Sequence, residues 1–374
     1  MATATRTRKD PRLATTRRLS TNEQLSDASI RHMILLERLK ETEARRIVAM
    51  LERTHTRITR ILEERLERMM RRGPQPITTG LWTTKRYQQM LRAVNERLST
   101  VHREVRDEVA LRMQEIGLRE IDFEVASIRT AMPVEWAIEL PEASTVREIV
   151  RRRPFQGKLL REWFSTHDRN VRAAINETVR QGMISGETVP QIIRSIRGER
   201  GILEGSRRGL AAVVRTAINH TSTHAREETY RANAQLVKGV QIVATLDSRT
   251  TDICKSLDGR VYAVGEGKRP PFHIGCRTTT APVIASFREL GIDLDEAPMG
   301  TRASLDGAVG ESVTYGTWIM RQPAAIQNEA LGVGVARLVR TGQVDIEEVF
   351  RMQRRRLGKP ITLREIEERL LPAA

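Results

Sequence analysis

Cysteines, aromatic residues and long apolar segments are all scarce in this sequence. Two cysteines among 374 residues are too few for a disulfide scaffold of the kind that stabilises small secreted domains. Aromatic residues make up only 4% of the chain, which argues against a β-sandwich and favours helices packed through Leu, Ile, Val and Met. No apolar run approaches the ~18 residues that span a membrane, and the N-terminus lacks the apolar stretch of a secretory signal. We therefore expect neither a membrane span nor a secretory leader.

Lysine is rare as well, although the chain is strongly basic. Only eight of its 63 basic residues are lysine, and the formal net charge is +16. The guanidinium group of arginine binds phosphate in a bidentate way and is weakly hydrated. An arginine excess therefore suits contact with nucleic acid or with an acidic protein surface. The alternative is that most of these arginines pair with glutamate on solvated helices.

Apolar periodicity predicts a mainly α fold with a small β-sheet, in the α+β class. Apolar residues recur every three or four positions from Ser26 to Arg72 and again from Thr84 to Thr130, with a Gly/Pro break between the two stretches. We expect two long helices that form a hairpin and serve as a docking arm apart from the rest of the chain. The predicted units are a basic flexible arm (1–23), the helical hairpin (24–130), a linker (131–146), a core domain (147–289) and a helical C-terminal region (290–374).

Within the predicted core domain, the pattern changes from helix to strand. Four helical stretches come first, and "KGVQIVATLD", "LDGRVYAV" and "CRTTTAPVIA" then read as three short strands. Both cysteines lie in or beside the connections of this roughly three-stranded unit, which we call the Cys/His flap. The C-terminal region is helical at its end, where Thr362 and Glu365 form a predicted capping box.

The segments "TLDSRTTDICKSLDGRVY" and "PPFHIGCR" resemble the signature of the tailed-bacteriophage minor head proteins, the head-morphogenesis family typified by the F protein of phage Mu. The matching positions are Asp247, Arg249, Thr250, Cys254, Asp258, Gly259, Pro270, His273, Cys276 and Arg277. The chain departs from the family pattern at Ile274-Gly275, where Pro-Asn is frequent, and at Thr278, where a further cysteine often stands. The resemblance covers roughly residues 140–350.

The cysteine window also has a chemistry of its own. Cys276 and His273 are three residues apart in a Pro/Gly-framed loop, and we expect Cys254 on the turn after the first predicted strand. Thiolates and imidazole are typical zinc ligands, so these three residues form a candidate structural zinc site, with Asp247, Asp252 or water as the fourth ligand. Two buried unlinked thiols and a Cys254–Cys276 disulfide are the alternatives. A small flap buries little apolar surface of its own, which favours a metal ion or a cross-link that joins its loops.

Other polar residues of this window have simpler interpretations. Asp247, Arg249, Asp258, Gly259 and Arg277 are expected to form the turns and ion pairs of the flap rather than a catalytic site. The upstream pair His220 and His224 shares one helix face, a geometry suited to a metal, but two partly exposed helix residues are the preferred interpretation. We expect no catalytic residue in the chain.

The family resemblance implies a minor capsid protein that acts in head assembly at the portal vertex of the virion, after a stage in the host cytoplasm. The implied partners are the portal protein, the major capsid protein and double-stranded DNA bound without sequence preference, with several copies around the portal. Two alternatives stay open: a DNA-binding internal protein ejected with the genome, and a zinc-dependent hydrolase or nuclease.

Overall fold

A computed structural model describes residues 20–71, 85–293, 301–304, 307–310, 313–356 and 361–371. The fold is mainly α-helical with a small antiparallel sheet, as the sequence predicts. Most of the predicted basic arm and the predicted Gly/Pro break after Arg72 lie outside the described residues. Within the described part of the chain, no helix combines the length and the apolar character that crossing a membrane requires.

The first two elements are helices α1 (Thr21–Met70) and α2 (Lys85–Ala131). Ser20 begins α1 with a capping box, because its hydroxyl accepts from the Glu23 amide while the Glu23 carboxylate accepts from the Ser20 amide. Side chains at helical spacing, such as Leu51 and Leu62 of α1 and Leu98 of α2, are buried between the helices. Periodicity therefore predicted both long helices, although α1 starts before Ser26.

Four further helices form what we call the helical body. They are α3 (Ala143–Arg152), α4 (Leu160–Ile184), α5 (Val189–Arg197) and α6 (Ile202–Ala232). α6 contacts α1, α2 and α4, and buries Leu210, Val214 and Ile218 against them. A Cβ on Gly117 of α2 would lie 2.5 Å from a methyl carbon of Val146 in α3, so glycine permits the close approach of these two helices.

The sheet contains β1 (Val237–Val243), β2 (Val261–Tyr262) and β3 (Thr279–Ile284), in the order β2-β1-β3 with both pairs antiparallel. The second strand is shorter than the sequence suggests. A short helix, α7 (Asp252–Leu257), lies between β1 and β2 and carries Cys254. The prediction that this cysteine lies on a turn is therefore wrong.

The C-terminal region contains a β-hairpin and five helices. The hairpin strands, which the sequence analysis did not predict, are β4 (Thr301–Ser304) and β5 (Gly307–Gly310). The helices are α8 (Tyr315–Met320), α9 (Ala324–Leu331), α10 (Val333–Arg340), α11 (Ile346–Arg355) and α12 (Leu363–Leu370). Trp318 and Phe350 lie in their shared core. The capping box of Thr362 and Glu365 is present at the start of α12.

The α1–α2 hairpin packs against the helical body and against β3. Buried side chains of α1, α2, α4 and α6 form common apolar clusters, and the Asn22 side chain exchanges hydrogen bonds with the Ile284 backbone. The expectation that the hairpin lies apart from the Cys/His flap is wrong, since Lys40 of α1 donates to the Cys276 carbonyl at 3.5 Å. The predicted domain boundaries stay predictions.

Candidate metal centre

Cys254, His273 and Cys276 come together at one point of the flap. Cys254 is the third residue of α7, whose first turn follows Thr251 in extended conformation. His273 and Cys276 lie in the loop that leads into β3, where Gly275 adopts a φ of 74° that lets the chain turn between them. Their ligand atoms all lie within 4.8 Å of one another, the arrangement needed to hold a metal ion. These three predicted site residues are therefore brought together.

The distances within this cluster are short and its surroundings are closed. The sulfur of Cys254 lies 3.8 Å from that of Cys276 and 3.3 Å from Nε2 of His273. Both cysteines are 2% exposed and pack with Ala244, while Ile253 and Phe272 cover them in part. The two thiols are too far apart for a disulfide bond of ~2.05 Å. His273 is the more exposed member of the cluster.

The orientation of the His273 ring follows from its backbone contact. Nδ1 lies 2.9 Å from the Ile274 carbonyl oxygen, which can only accept, so Nδ1 carries the proton. Nε2, which lies 3.3 Å from the Cys254 sulfur, donates to the thiol cluster when the ring is protonated and offers a lone pair when the ring is neutral. A backbone carbonyl that fixes the second ring nitrogen is the usual support of a metal-ligating histidine. The residues present therefore suit a metal ion.

The electrostatics of the cluster favour one thiolate. Burial opposes ionisation of Cys276, but hydrogen bonds from Cys254 and His273 stabilise its thiolate and hold its pKa well below the usual range. The hydrogen bond to Cys276 and then burial raise the pKa of Cys254 instead. The pKa of His273 is raised by its hydrogen bond to Cys276, against the effect of burial. A thiolate is the form in which cysteine binds a metal.

The Cys276 loop is joined to the helices beneath it by side chains that form hydrogen bonds with its backbone. Asn219 of α6 donates to the carbonyls of Cys276 and Thr278 at 3.0 and 3.3 Å, and Thr216 accepts from the Gly275 amide at 3.0 Å. Lys40 of α1 adds its contact to the same Cys276 carbonyl. The position of the loop is thus set by α1 and α6, which lie far away in sequence.

The structure places Asp247 in an ion pair outside the cluster. Its carboxylate accepts two bonds from the Arg277 guanidinium, at 2.6 and 2.8 Å, and one from the Thr250 hydroxyl. Burial opposes ionisation of Asp247, but the Arg277 bonds prevail and lower its pKa. Arg249 is exposed and 3.8 Å from Asp247. In the described part of the chain, the group that could hold a metal comprises the two cysteines and His273.

Asp258 and Gly259 form the turn that follows α7. One Asp258 oxygen accepts from the Ala244 amide and the other from the Tyr315 amide, both at 2.7 Å. Gly259 has a φ of 73°, and its amide donates to the Ile242 carbonyl. Tyr315 also donates its hydroxyl to the Asp247 carbonyl. Asp258 therefore connects β1 to the first C-terminal helix, a contact that the sequence did not indicate.

His220 and His224, the histidine pair of α6, lie within the helical body. The rings of His220 and His224 are 4.5 Å apart, and His220 is 3% exposed, so the expectation of two partly exposed residues is wrong for His220. Arg153 donates to Nδ1 of His224 at 2.9 Å. Burial lowers the pKa of His220 to about 4 and that of His224 to about 2, so both rings are neutral and structural at pH 7.

Comparison with known families gives a match over part of the chain. Residues 173–281 match the family described as Phage Mu protein F like protein, a segment that contains all three candidate ligands. This part of the chain is therefore similar to the phage Mu F-like family. No curated protein and no solved structure matches the chain.

Proposed function

We propose that this chain is a minor capsid protein of a tailed phage that acts at the portal vertex during head assembly. The observation that carries the proposal is the match of residues 173–281 to the phage Mu F-like family, together with the Cys/His cluster inside that segment. Contacts with the portal protein and the major capsid protein belong to the proposal, as does the presence of several copies around the portal. The protein is assembled in the host cytoplasm and ends in the virion head.

The metal in this proposal is a structural zinc ion held by Cys254, His273 and Cys276. Two thiolates bound to tetrahedral zinc at ~2.3 Å would lie about 3.8 Å apart. The sulfur atoms of Cys254 and Cys276 are separated by 3.8 Å. Since Asp247 is engaged by Arg277, we assign the fourth position to water. A bound ion would join α7 to the loop before β3.

We assign this centre a structural role and no catalysis. Both sulfurs are buried, and the loop around Cys276 is held by α1 and α6 through backbone contacts that serve position only. A zinc-dependent hydrolase would instead lose its activity, with the fold intact, when the metal is removed. Chelation followed by assays with DNA and peptide substrates distinguishes the two roles.

Contact with double-stranded DNA is the least specific part of the proposal. It is supported by the net charge of +16, which arginine dominates. Some arginines are already engaged by acidic residues: Arg153 pairs with Glu228, and Arg207 with Glu204. We expect weak binding of random-sequence duplexes whose affinity falls steeply with salt, because phosphate contacts release counterions. Salt-insensitive binding, or none at low salt, would assign the charge to protein contacts.

The deciding experiment is to locate the protein in DNA-filled and in emptied heads by labelled electron microscopy and quantitative protein analysis. Density at one vertex, retained after DNA release, is the expected result. Loss of the protein from emptied heads would favour an internal protein ejected with the genome. A uniform distribution over the shell would overturn the portal-vertex assignment.

A further inference from the structure

A cleft of about 650 Å³ lies between α2, the end of α3 and the start of α4, on a part of the molecule that the metal centre does not involve. Its lining combines arginines with apolar side chains. The lining residues are Arg106, Asp107, Ala110, Leu111, Gln114, Arg147, Val150, Arg151, Leu160 and Arg161. The site is therefore built from three helices whose mutual packing determines its shape.

Three arginines of the cleft carry uncompensated charge. Arg147, Arg151 and Arg161 are exposed, and none has an ion-pair partner among the residues that the structure describes. The next arginines along α3 differ, since Arg152 pairs with Glu148 and Arg153 with Glu228. The cleft thus faces solvent with three free guanidinium groups.

The remaining arginine and the start of α4 complete the electrostatics of the cleft. Arg106 is neutralised by Asp107, whose carboxylate lies 2.7 Å from its guanidinium. Leu160 and Arg161 are the first two residues of the 25-residue helix α4, and the carboxylate of Glu162 accepts from the Leu159 amide at this helix end. The positive charge of the cleft therefore comes from the three free arginines. An anionic group is the occupant that this charge distribution favours.

The floor and one rim of the cleft are apolar. Val150 and Leu160 are buried beneath it, whereas Leu111 of α2 is 53% exposed. Leu118 follows Leu111 by seven residues, on the same helix face, and is 41% exposed. Gln114 and Glu115 lie between the two leucines on this face, and Glu115 is paired with Arg112, so Leu111 and Leu118 form two separate exposed apolar points.

We propose that this cleft binds an acidic, amphipathic segment of a partner protein. Carboxylates of such a segment would meet the forked donors of Arg147, Arg151 and Arg161, which match a carboxylate in a bidentate way. Its apolar side chains would cover Leu111 and Leu118, and the removal of this surface from water adds affinity. The phosphate backbone of DNA satisfies the arginines equally well but offers little to cover the exposed leucines. The exposed leucines beside the cleft therefore favour a peptide over DNA as its occupant.

The test uses the full-length protein and a fluorescein-labelled synthetic peptide rich in Glu and Leu, with binding followed by fluorescence anisotropy. A peptide with Gln in place of every Glu serves as the uncharged probe. The double variant Arg147→Glu/Arg151→Glu should bind the acidic peptide on the order of tenfold more weakly. The matched control is Arg194→Glu/Arg197→Glu on α5, which makes the same charge change at two other exposed arginines and should bind like the native protein.

A second variant separates a peptide from a nucleic acid. Leu111→Gln should weaken binding of the acidic peptide several-fold and leave binding of a short DNA duplex unchanged. Equal losses in the cleft and control double variants would overturn the proposal, because the binding would then follow overall charge. Failure of the native protein to bind the acidic peptide would overturn it as well. The cleft would be a nucleic-acid site if the double variant lost binding of the DNA duplex while Leu111→Gln changed binding of neither the peptide nor the duplex.

Thermal melting shows whether each variant is still folded, so that a loss of binding can be assigned to the substituted side chain. The substituted arginines and Leu111 are exposed, so each variant is expected to melt within a few degrees of the native protein. The proposal does not depend on the metal centre or on the location of the protein in the head. If the peptide does not bind, the proposed function in head assembly still stands. If the protein is not found at the portal vertex, the peptide-binding proposal still stands.

Discussion

Between α1, α2, α4 and α6, buried aliphatic side chains follow one another for several turns, whereas the buried apolar set around the metal centre consists of Ala244, Cys254 and Cys276. The helical interface is stabilised by area removed from water, to which each side chain contributes a share. The strands β1 and β3 of the flap bury Val237, Val240 and Ile284 in a larger apolar cluster with the helices. The loops that carry the two cysteines depend instead on a few directional contacts, such as those of Asp258 and Asn219. Loss of one contact should therefore be tolerated in the helices and felt strongly in these loops.

The histidines show the same contrast. His55, His102 and His167, from α1, α2 and α4, are neighbours in the helical interface, and burial is the main cause of their lowered pKa values. In the flap, the hydrogen bond to Cys276 raises the pKa of His273. An apolar interface disfavours charge, and a cluster of polar ligands supports it.

The largest effect is expected from removal of the hairpin. Deletion of residues 1–135 would expose the faces of α4 and α6 that pack on α1 and α2, and would remove the Lys40 contact with the flap. We expect an insoluble or molten fragment without a cooperative thermal transition. Calorimetry and near-UV circular dichroism measure this. A fragment that melts cooperatively would show that the rest of the chain folds without the hairpin and would contradict this prediction.

Acid should destabilise the helical interface next. Burial, together with His102, Arg207 and His167, lowers the pKa of His55 to about 3, and burial with His102 lowers that of His167 to about 4. Below pH 6.5, the histidine pKa in the unfolded chain, the unfolded chain binds more protons than the folded protein. The free energy of unfolding therefore decreases as the pH is lowered from 6.5 toward the folded pKa values. At pH 5 the two residues together should cost about 4 kcal/mol relative to pH 8.

Denaturant unfolding across this pH range provides the measurement. His55→Gln should remove about 2 kcal/mol of the loss, because His167, His220 and His224 also bind protons only on unfolding and contribute similar shares. His102 contributes in the same direction, although its hydrogen bond to Asp168 opposes the effect of burial. An unchanged pH profile in the variant would contradict the assignment of His55.

Loss of the metal should affect the flap alone. We expect Cys254→Ser to abolish zinc binding, and at zinc concentrations 100-fold above the dissociation constant this costs about 3 kcal/mol. Chelation of the native protein should reproduce the effect and should leave the variant unaffected. Metal analysis and counting of thiols provide the readout. Two titratable thiols without zinc would indicate buried cysteines, and no thiols without zinc would indicate a disulfide.

The smallest effect is expected at Asp258, which joins the flap to the C-terminal helices. Asp258→Ala leaves the buried amides of Ala244 and Tyr315 without these acceptors, at a cost of about 2 kcal/mol. Glu266→Ala is the matched control, because Glu266 is an exposed flap acid and the loss of charge is the same. Urea unfolding compares the two variants. Equal stabilities would show that the Asp258 contacts contribute little.

Elements of regular pattern were predictable from the sequence, and short ones were not. Apolar periodicity located α1 and α2 to within a few residues because each helix repeats its buried stripe over many turns. The helix α7 has six residues, too few to show a 3.6-residue period, and it was interpreted as a turn. The strands β4 and β5 have four residues each and were likewise not recognised.

The candidate site was predicted in its ligands but not in its supports. Cys254, His273 and Cys276 were recognisable because few other residue types bind metals and because they share one short window. Lys40, Thr216 and Asn219 gave no such signal, since lysine, threonine and asparagine are common on helix surfaces. Asp247 was a reasonable fourth ligand until the structure placed Arg277 beside it.

The sequence by itself determined the mainly helical class, the long hairpin and the identity of the three candidate ligands. Apolar periodicity and side-chain chemistry are properties of the local sequence and do not depend on contacts with distant residues. Tertiary structure alone decided which distant buried groups meet, such as Lys40 with Cys276 and Asp258 with Tyr315. It also brought the free arginines of α3 and α4 beside the exposed leucines of α2. Such contacts join residues distant along the chain, and their energies depend on burial and distance, which exist only once the helices have packed.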